Sequence, residues 1–186
     1  SRRLVVSFIA TVGNYEYAFY WYFYQDGTIQ FDIKATGILS TAALPVGETS
    51  KYGTMLAPQL YAPNHQHFFC TRLDMAVDGQ SNSVQEVNTV PAPMGPDNPF
   101  GNAFYGQYTT LESEQEAQRI IDPFSARYWQ VINEDSHNRT GQPVAYKLIP
   151  GENILPFAHP ESSIARRGGY MWKHLWVTPY NENEKY

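Results

Sequence analysis

Apolar and polar residues alternate over short runs through most of this chain, and Gly, Pro, Asn and Asp bound the runs. Alternation with a period of two is typical of β-strands that pack one face on a core. It predicts strands over residues 4–11, 15–24, 28–36, 63–75, 127–133, 144–149 and 175–179. Residues 112–121 differ, because their acids cluster at the start and the run ends before a proline, as in a helix. The pattern therefore predicts an all-β chain with at most one or two short helices.

The second and third predicted strands can be placed in register. Their apolar residues occupy odd positions in both strands, as Trp21 and Phe31 illustrate. Antiparallel pairing keeps both sets on one face only if the loop has an odd number of residues. The Gln-Asp-Gly segment 25–27 is such a loop, with Gly27 where a positive φ is needed. Tyr15 shares the odd face, so we expect it to point into the core side of the sheet.

A turn-rich stretch over residues 78–106 contains four prolines. Its centre, residues 95–99, has the sequence Gly-Pro-Asp-Asn-Pro and is predicted to be the tip of an extended hairpin or loop. Long excursions of this kind often contact another subunit or domain. A surface loop without such a contact is the alternative.

Composition narrows the class of protein. Of 186 residues, 42% are hydrophobic and 17% charged, which is typical of a globular chain. The net charge is -5 and no basic run is longer than Arg166-Arg167, so we expect no nucleic-acid or anionic-membrane partner. No apolar stretch approaches the roughly 20 residues of a membrane-spanning helix. The single cysteine, Cys70, excludes an intrachain disulfide.

The chain is interpreted as a segment of a longer polypeptide. It has no initiator methionine, it begins almost inside a strand, and it ends on a polar run without a packed element. No linker composition divides it. Residues 1–186 are therefore predicted to be the central segment of a single domain, incomplete at both ends.

His65-Gln66-His67 is a candidate metal site. If these residues belong to a strand, both imidazoles lie on one face and can bind one ion. Imidazole suits copper and zinc. Two surface or packing histidines are the alternative, since such a triplet arises by chance. Cys70 is predicted to face away from the histidines as a buried thiol, not to serve as a third ligand.

Two motifs, in order, carry a resemblance to a known family. Asn14-Tyr15-Glu16-Tyr17 is followed about fifty residues later by the histidine pair, and the sequence resembles the copper amine oxidases in both motifs and in their spacing. Further matching segments are residues 11–13, 19–21, 26–29, 34–37, 72–75, 101–104, 146–148 and 162–167. The resemblance implies part of a large β-sandwich domain with long hairpin arms, and a homodimer.

The resemblance also implies roles for individual residues. Tyr15 is the expected precursor of topaquinone, which condenses with a primary amine as a Schiff base, and Asn14 and Glu16 flank and orient it. His65 and His67 are two of three expected copper(II) ligands. A peripheral calcium-type site is expected at Asp74 and the carbonyl of Met75. Tyr17 is expected to pack on the apolar face and not to react.

The implied activity is oxidative deamination of primary amines with molecular oxygen. Its products are aldehyde, ammonia and hydrogen peroxide, and the enzyme makes its quinone from Tyr15, copper and oxygen. Two parts of the family's machinery lack a counterpart here. No acidic residue precedes Glu16 to serve as the catalytic base, and His137, His159 and His174 lack the surroundings of the third copper ligand. We therefore expect this chain alone to be inactive.

Two other functions stay open. A non-enzymatic β-sandwich binding module would use aromatic residues as a ligand platform, and it requires an exposed Trp21 or Trp172. A dimerisation fragment would use the segment 94–101 as an arm, which is compatible with the oxidase interpretation.

Overall fold

A computed structural model describes residues 2–183. It consists mainly of antiparallel strands and confirms the all-β prediction. The chain forms two compact units, Ser1–His67 and Phe68–Tyr186. The strands of the first unit are β1 (Arg3–Val12), β2 (Tyr15–Tyr24), β3 (Ile29–Gly37), β4 (Ala42–Ala43), β5 (Gly53–Ala57) and β6 (Leu60–Pro63). No helix within residues 2–183 is long and apolar enough to cross a membrane.

Two successive hairpins build the main sheet of the first unit, in the order β1-β2-β3. Gly13 and Asn14 form the first loop, and Gly13 has φ +59°, at the position where a type II′ loop carries glycine. The second loop is the predicted three-residue segment 25–27. It is closed by a hydrogen bond from the Tyr24 N–H to the Thr28 carbonyl at 2.9 Å, and Gly27 has φ +85°.

The predicted facing of β2 is only partly right. Rings on its odd face do stack on the neighbouring strands, with Phe19 4.7 Å from Phe8 and Trp21 4.4 Å from Phe31 between centroids. The buried positions of β2, however, are Ala18 and Tyr22 on the even face. The prediction missed that face because Tyr22 is covered by cationic and aromatic neighbours, including the guanidinium of Arg3 at 4.1 Å from its ring.

The predicted strand over residues 63–75 is wrong. In the structure β6 ends at Pro63, and residues 64–75 carry no regular secondary structure. The last contact with the β5 side of the small sheet β4-β6-β5 is the hydrogen bond from the Asn64 N–H to the Tyr52 carbonyl at 2.8 Å, and the chain leaves the sheet after it.

The second unit contains a four-stranded antiparallel sheet of order β11-β10-β7-β8 and a short pair, β12-β9. Its strands are β7 (Ser83–Pro91), β8 (Phe104–Thr110), β9 (Gln118–Arg119), β10 (Tyr128–His137), β11 (Pro143–Leu148) and β12 (Leu175–Trp176). One α-helix, α1 (Ser163–Arg167), and two 3-10 turns, Pro123–Ser125 and Gly169–Trp172, complete it. The β7–β8 pairing confirms the predicted hairpin, and the Asn98 side chain donates to carbonyls across its tip.

The predicted helix over residues 112–121 is wrong, because tertiary contacts override its local signals. The segment forms turns that lead into β9, where Arg119 reaches the buried carboxylate of Glu86 with two hydrogen bonds of 2.7 and 2.6 Å. Glu86 also accepts from the indole N–H of Trp129 at 3.1 Å. Burial alone would raise the pKa of Glu86, but these donors and the charge of Arg127 hold it below its ordinary value.

Candidate metal and cofactor site

Tyr15 is the first residue of β2, directly after the Gly13–Asn14 loop. Its backbone is fixed on both sides, since β2 is the central strand and Tyr15 pairs with Val12 on β1 and Gly37 on β3. The Ile38 N–H donates to the Asn14 carbonyl at 2.7 Å. Position 15 is therefore flanked by a paired strand on each side.

Gly37 lies against the backbone of the motif. It has φ +111°, a conformation that side chains disfavour. A Cβ at position 37 would meet the Asn14 carbonyl oxygen and would lie 2.8 Å from the Cα of Tyr15. This close approach leaves space for glycine alone and sets the position of the Tyr15 backbone.

The two histidines of the irregular segment after β6 reach Tyr15 and Tyr17 at the start of β2. The Tyr15 hydroxyl oxygen lies 3.0 Å from Nε2 of His65, and the Tyr17 hydroxyl oxygen lies 2.7 Å from Nδ1 of His67. The imidazole centroids are 4.8 Å apart with an interplanar angle of 80°. The structure therefore brings Tyr15, His65 and His67 together, although the histidines do not lie on a strand as predicted.

The hydrogen bonds of His65 define its tautomer. Nδ1 lies 3.0 Å from the Pro63 carbonyl oxygen, which can only accept, so the neutral ring carries its proton on Nδ1. Nε2 then presents a lone pair to Tyr15, whose hydroxyl also accepts from the Ser40 N–H at 3.3 Å. An imidazole with Nδ1–H bound to a backbone carbonyl is the usual state of a metal-binding histidine.

The ligand atoms and their positions suit a transition metal such as copper. Imidazole nitrogens suit copper, and the exposed His65 and His67 rings lie beside the half-buried rings of Tyr15 and Tyr17. Within residues 2–183, no cluster of three or more His, Cys, Asp or Glu side chains is placed to hold a metal ion. The described residues therefore provide two imidazoles and a phenol oxygen.

The other predicted site residues have surroundings of their own. Glu16 extends from the opposite face of β2, where its carboxylate accepts from the Thr11 hydroxyl at 3.3 Å, and Asn14 contributes its backbone carbonyl. Asp74 is exposed and Met75 is half-buried, both in the irregular segment of the second unit. The predicted burial of Cys70 is wrong, because its thiol is exposed where the chain has left the sheet.

Sequence reasoning missed the role of Tyr17. It was expected only to pack, yet its hydroxyl holds His67. The signal was present, because the alternation of β2 places residues 15 and 17 on one face, matching the spacing of residues 65 and 67. Likewise, Trp21 and Trp172, the platform residues of the binding-module hypothesis, are half-buried.

The fold and the site together define an antiparallel all-β protein in which a strand tyrosine lies beside a His-x-His pair. The sequence profile described as copper amine oxidase, enzyme domain, matches residues 1–186. The chain belongs to the copper amine oxidase family.

Named relatives agree with this assignment. The chain is 54% identical over its whole length to a peroxisomal copper-containing diamine oxidase of Nicotiana tabacum, covering 24% of that protein. It is 51% identical to a histamine oxidase of Arthrobacter globiformis, covering all of this chain and 27% of that protein. The crystal structure of a copper-containing benzylamine oxidase from Hansenula polymorpha superposes on 98% of this chain and 29% of its own with a TM-score of 0.91, at 35% identity. The chain thus spans about a quarter of its relatives' length.

Proposed function

We propose that this chain is the part of a primary-amine oxidase that carries the quinone precursor, Tyr15, and two copper ligands, His65 and His67. The full-length protein would convert a primary amine, oxygen and water into an aldehyde, ammonia and hydrogen peroxide. The relatives named as diamine and histamine oxidases support this class of substrate. A catalytic base and a third copper ligand from outside this chain are part of the proposal.

One observation carries the proposal: the Tyr15 hydroxyl lies 3.0 Å from Nε2 of His65, the nitrogen that the Pro63 hydrogen bond leaves without a proton. His65 would hold the metal through that nitrogen, and Tyr15 is the phenol in contact with His65. Bound copper would supply activation of the Tyr15 ring towards oxygen, and the resulting topaquinone would supply the electron sink for amine oxidation.

The chain's own residues would hold the reacting ring in place. The Ser40 N–H donates to the Tyr15 oxygen at 3.3 Å and helps to orient the phenol. The Pro63 carbonyl fixes the His65 tautomer, and Gly37 allows the β3 backbone to approach the Cα of Tyr15. We propose that Asn14 and Glu16 restrict the cofactor's orientation through the backbone of the β1–β2 hairpin, since both belong to its paired end.

Copper titration of the metal-free full-length protein tests the ligand assignment. His65→Ala and His67→Ala should each weaken copper binding by at least about 10-fold, since each removes a direct ligand. His137→Ala, which changes an exposed histidine on β10, is the matched control and should bind copper as the wild type does. Unchanged affinity in both ligand variants would contradict the proposal.

We also propose that calcium binds at Asp74 and the Met75 carbonyl. A carboxylate and a carbonyl oxygen suit a hard cation, and further oxygen ligands are needed to complete its shell. Asp74→Asn should weaken calcium binding to the full-length protein in a calorimetric titration. Equal calcium binding by the variant and the wild type would remove Asp74 from the site.

We further propose that the full-length protein is a homodimer and that the β7–β8 hairpin contributes to the interface. The hairpin carries exposed apolar side chains near its tip, with Met94 77% and Phe100 86% exposed. Large exposed apolar groups on an extended arm are typical of protein-protein contacts.

A further inference from the structure

The two tyrosines of the motif contact different nitrogens of the two imidazoles. Tyr15 meets Nε2 of His65, the nitrogen that carries a lone pair. Tyr17 meets Nδ1 of His67 at 2.7 Å. The Tyr15 hydroxyl therefore contacts a nitrogen that could bind a metal, whereas the Tyr17 hydroxyl contacts the other type of ring nitrogen, although the two tyrosine rings are only 6.3 Å apart.

Tyr17 contacts Nδ1 of His67, and the equivalent nitrogen of His65 makes the hydrogen bond to the Pro63 carbonyl. There, Nδ1–H donates to the Pro63 carbonyl, and this bond leaves Nε2 available. A phenol oxygen can accept the same bond from Nδ1–H of His67. In that arrangement the proton of His67 is on Nδ1, and its Nε2 becomes a ligand nitrogen like that of His65.

The Nδ1 hydrogen-bond partner is close in sequence for His65 and distant in sequence for His67. Pro63 is two residues from His65, whereas Tyr17 is fifty residues from His67 in sequence. Tyr17 lies in the interior of β2, paired with Ala10 and Ala35, while residues 64–75 have no regular structure. A residue in the interior of a strand thus holds a ring that belongs to an irregular segment.

We propose that Tyr17 is a positioning residue for copper: it holds His67 in the Nδ1–H tautomer and orients the Nε2 of that ring towards the metal. This inference rests on the proposed copper-binding function. It assigns the motif's tyrosines separate tasks, with Tyr15 as the ring that reacts and Tyr17 as the ring that orients a ligand.

The test compares Tyr17→Phe with the wild type in the full-length protein. The substitution removes one oxygen and keeps the ring. Tyr24→Phe is the matched control, because Tyr24 is on the same strand but its hydroxyl bonds to Arg3 and Gln30. We expect Tyr17→Phe to bind copper(II) about 10- to 100-fold more weakly, the usual cost of losing a hydrogen bond behind a metal ligand, and Tyr24→Phe to bind it normally.

Pulsed electron paramagnetic resonance of bound copper(II) supplies a readout that a merely structural role would not change. The signal of the remote imidazole nitrogen depends on the hydrogen bond of its N–H. In Tyr17→Phe one remote-nitrogen signal should shift, and in Tyr24→Phe none should. Wild-type affinity together with unchanged nitrogen signals in Tyr17→Phe would overturn the inference. Failure of the wild type to bind copper would instead refute the proposed function.

Discussion

The Tyr15 hydroxyl lies between the His65 imidazole and the backbone N–H of Ser40, at 3.0 and 3.3 Å. Both partners come from segments outside the β1-β2-β3 sheet, while the Cα of Tyr15 is fixed inside it. The ring can meet its partners only if the strand backbone keeps its place to within a few tenths of an ångström. Gly37, which contacts that backbone directly, should therefore influence the site without touching the metal.

Gly37→Ala tests this dependence. Its Cβ would crowd the Cα of Tyr15 in a backbone with φ +111°, so we expect a loss of about 1–3 kcal/mol in the free energy of unfolding. Copper affinity should fall as well. Gly47→Ala is the control, because Gly47 has φ +77° with no atom within 4 Å of the added Cβ, and it isolates the strain from the crowding. Equal effects of the two substitutions on unfolding and on copper binding would contradict the assigned role of Gly37.

Some single-residue features were predictable from sequence and others were not. Tyr15, His65 and His67 stand in motifs whose residue types carry their chemistry, and the structure brings these three residues together. Ser40 contributes its backbone N–H and Pro63 its backbone carbonyl. Such groups do not depend on the side chain, so no side-chain pattern could indicate them. Their part in the site depends on where the chain places them.

Among the elements, β9 and β12 are linked by a half-buried histidine, His174. The backbone N–H of Ile121 donates to the ring Nδ1 of His174 at 3.0 Å. The backbone N–H of His174 donates to the Arg119 carbonyl at 2.8 Å. Burial lowers the pKa of His174, with a smaller opposing effect from the Ile154 backbone. Protonation of Nδ1 would break the bond from Ile121, so the neutral ring joins the two segments.

Acid should therefore weaken this link. Because the pKa of His174 is lower in the folded than in the unfolded state, its contribution is fully present above about pH 6.5 and decreases as the pH falls towards the folded value. Between about pH 7.5 and pH 5, the wild-type Tm should fall about 2–4 °C more than that of His174→Gln, as expected for one lost hydrogen bond. His137→Gln, at an exposed position, should follow the wild type. A pH profile of His174→Gln identical to the wild type would contradict this account.

Elements that depend on neighbouring residues were predictable from the sequence, and elements that depend on distant residues were not. The 25–27 loop was predictable because its length and its glycine are fixed by neighbouring residues. The segment 112–121 was not, because the ion pair of Arg119 with Glu86 depends on a partner 33 residues away. Similarly, the alternation over 63–75 suggested a strand, but β6 ends at Pro63 and residues 64–75 carry no regular secondary structure.

At the scale of the whole molecule, the β7–β8 hairpin is expected to determine assembly. Replacing Met94 and Phe100 together by serine should reduce the mass of the full-length protein in light scattering from dimer towards monomer, because it removes the exposed apolar groups near the tip. Phe124→Ser is the control, since Phe124 is fully exposed on a 3-10 turn outside the hairpin. A dimer that survives the double substitution unchanged would exclude these two side chains as an essential contact.

The central claim is that Tyr15, and not Tyr17, becomes the quinone when copper and oxygen are supplied. The most direct measurement is the fragment mass of the peptide containing both residues, from full-length protein purified without metal and then given copper(II) in air. We predict that Tyr15 gains two oxygen atoms and loses two hydrogen atoms, that Tyr17 is unchanged, and that zinc produces no change because it has no redox chemistry. An unmodified Tyr15 in copper-loaded, aerated protein, or the same mass change on Tyr17, would contradict the account.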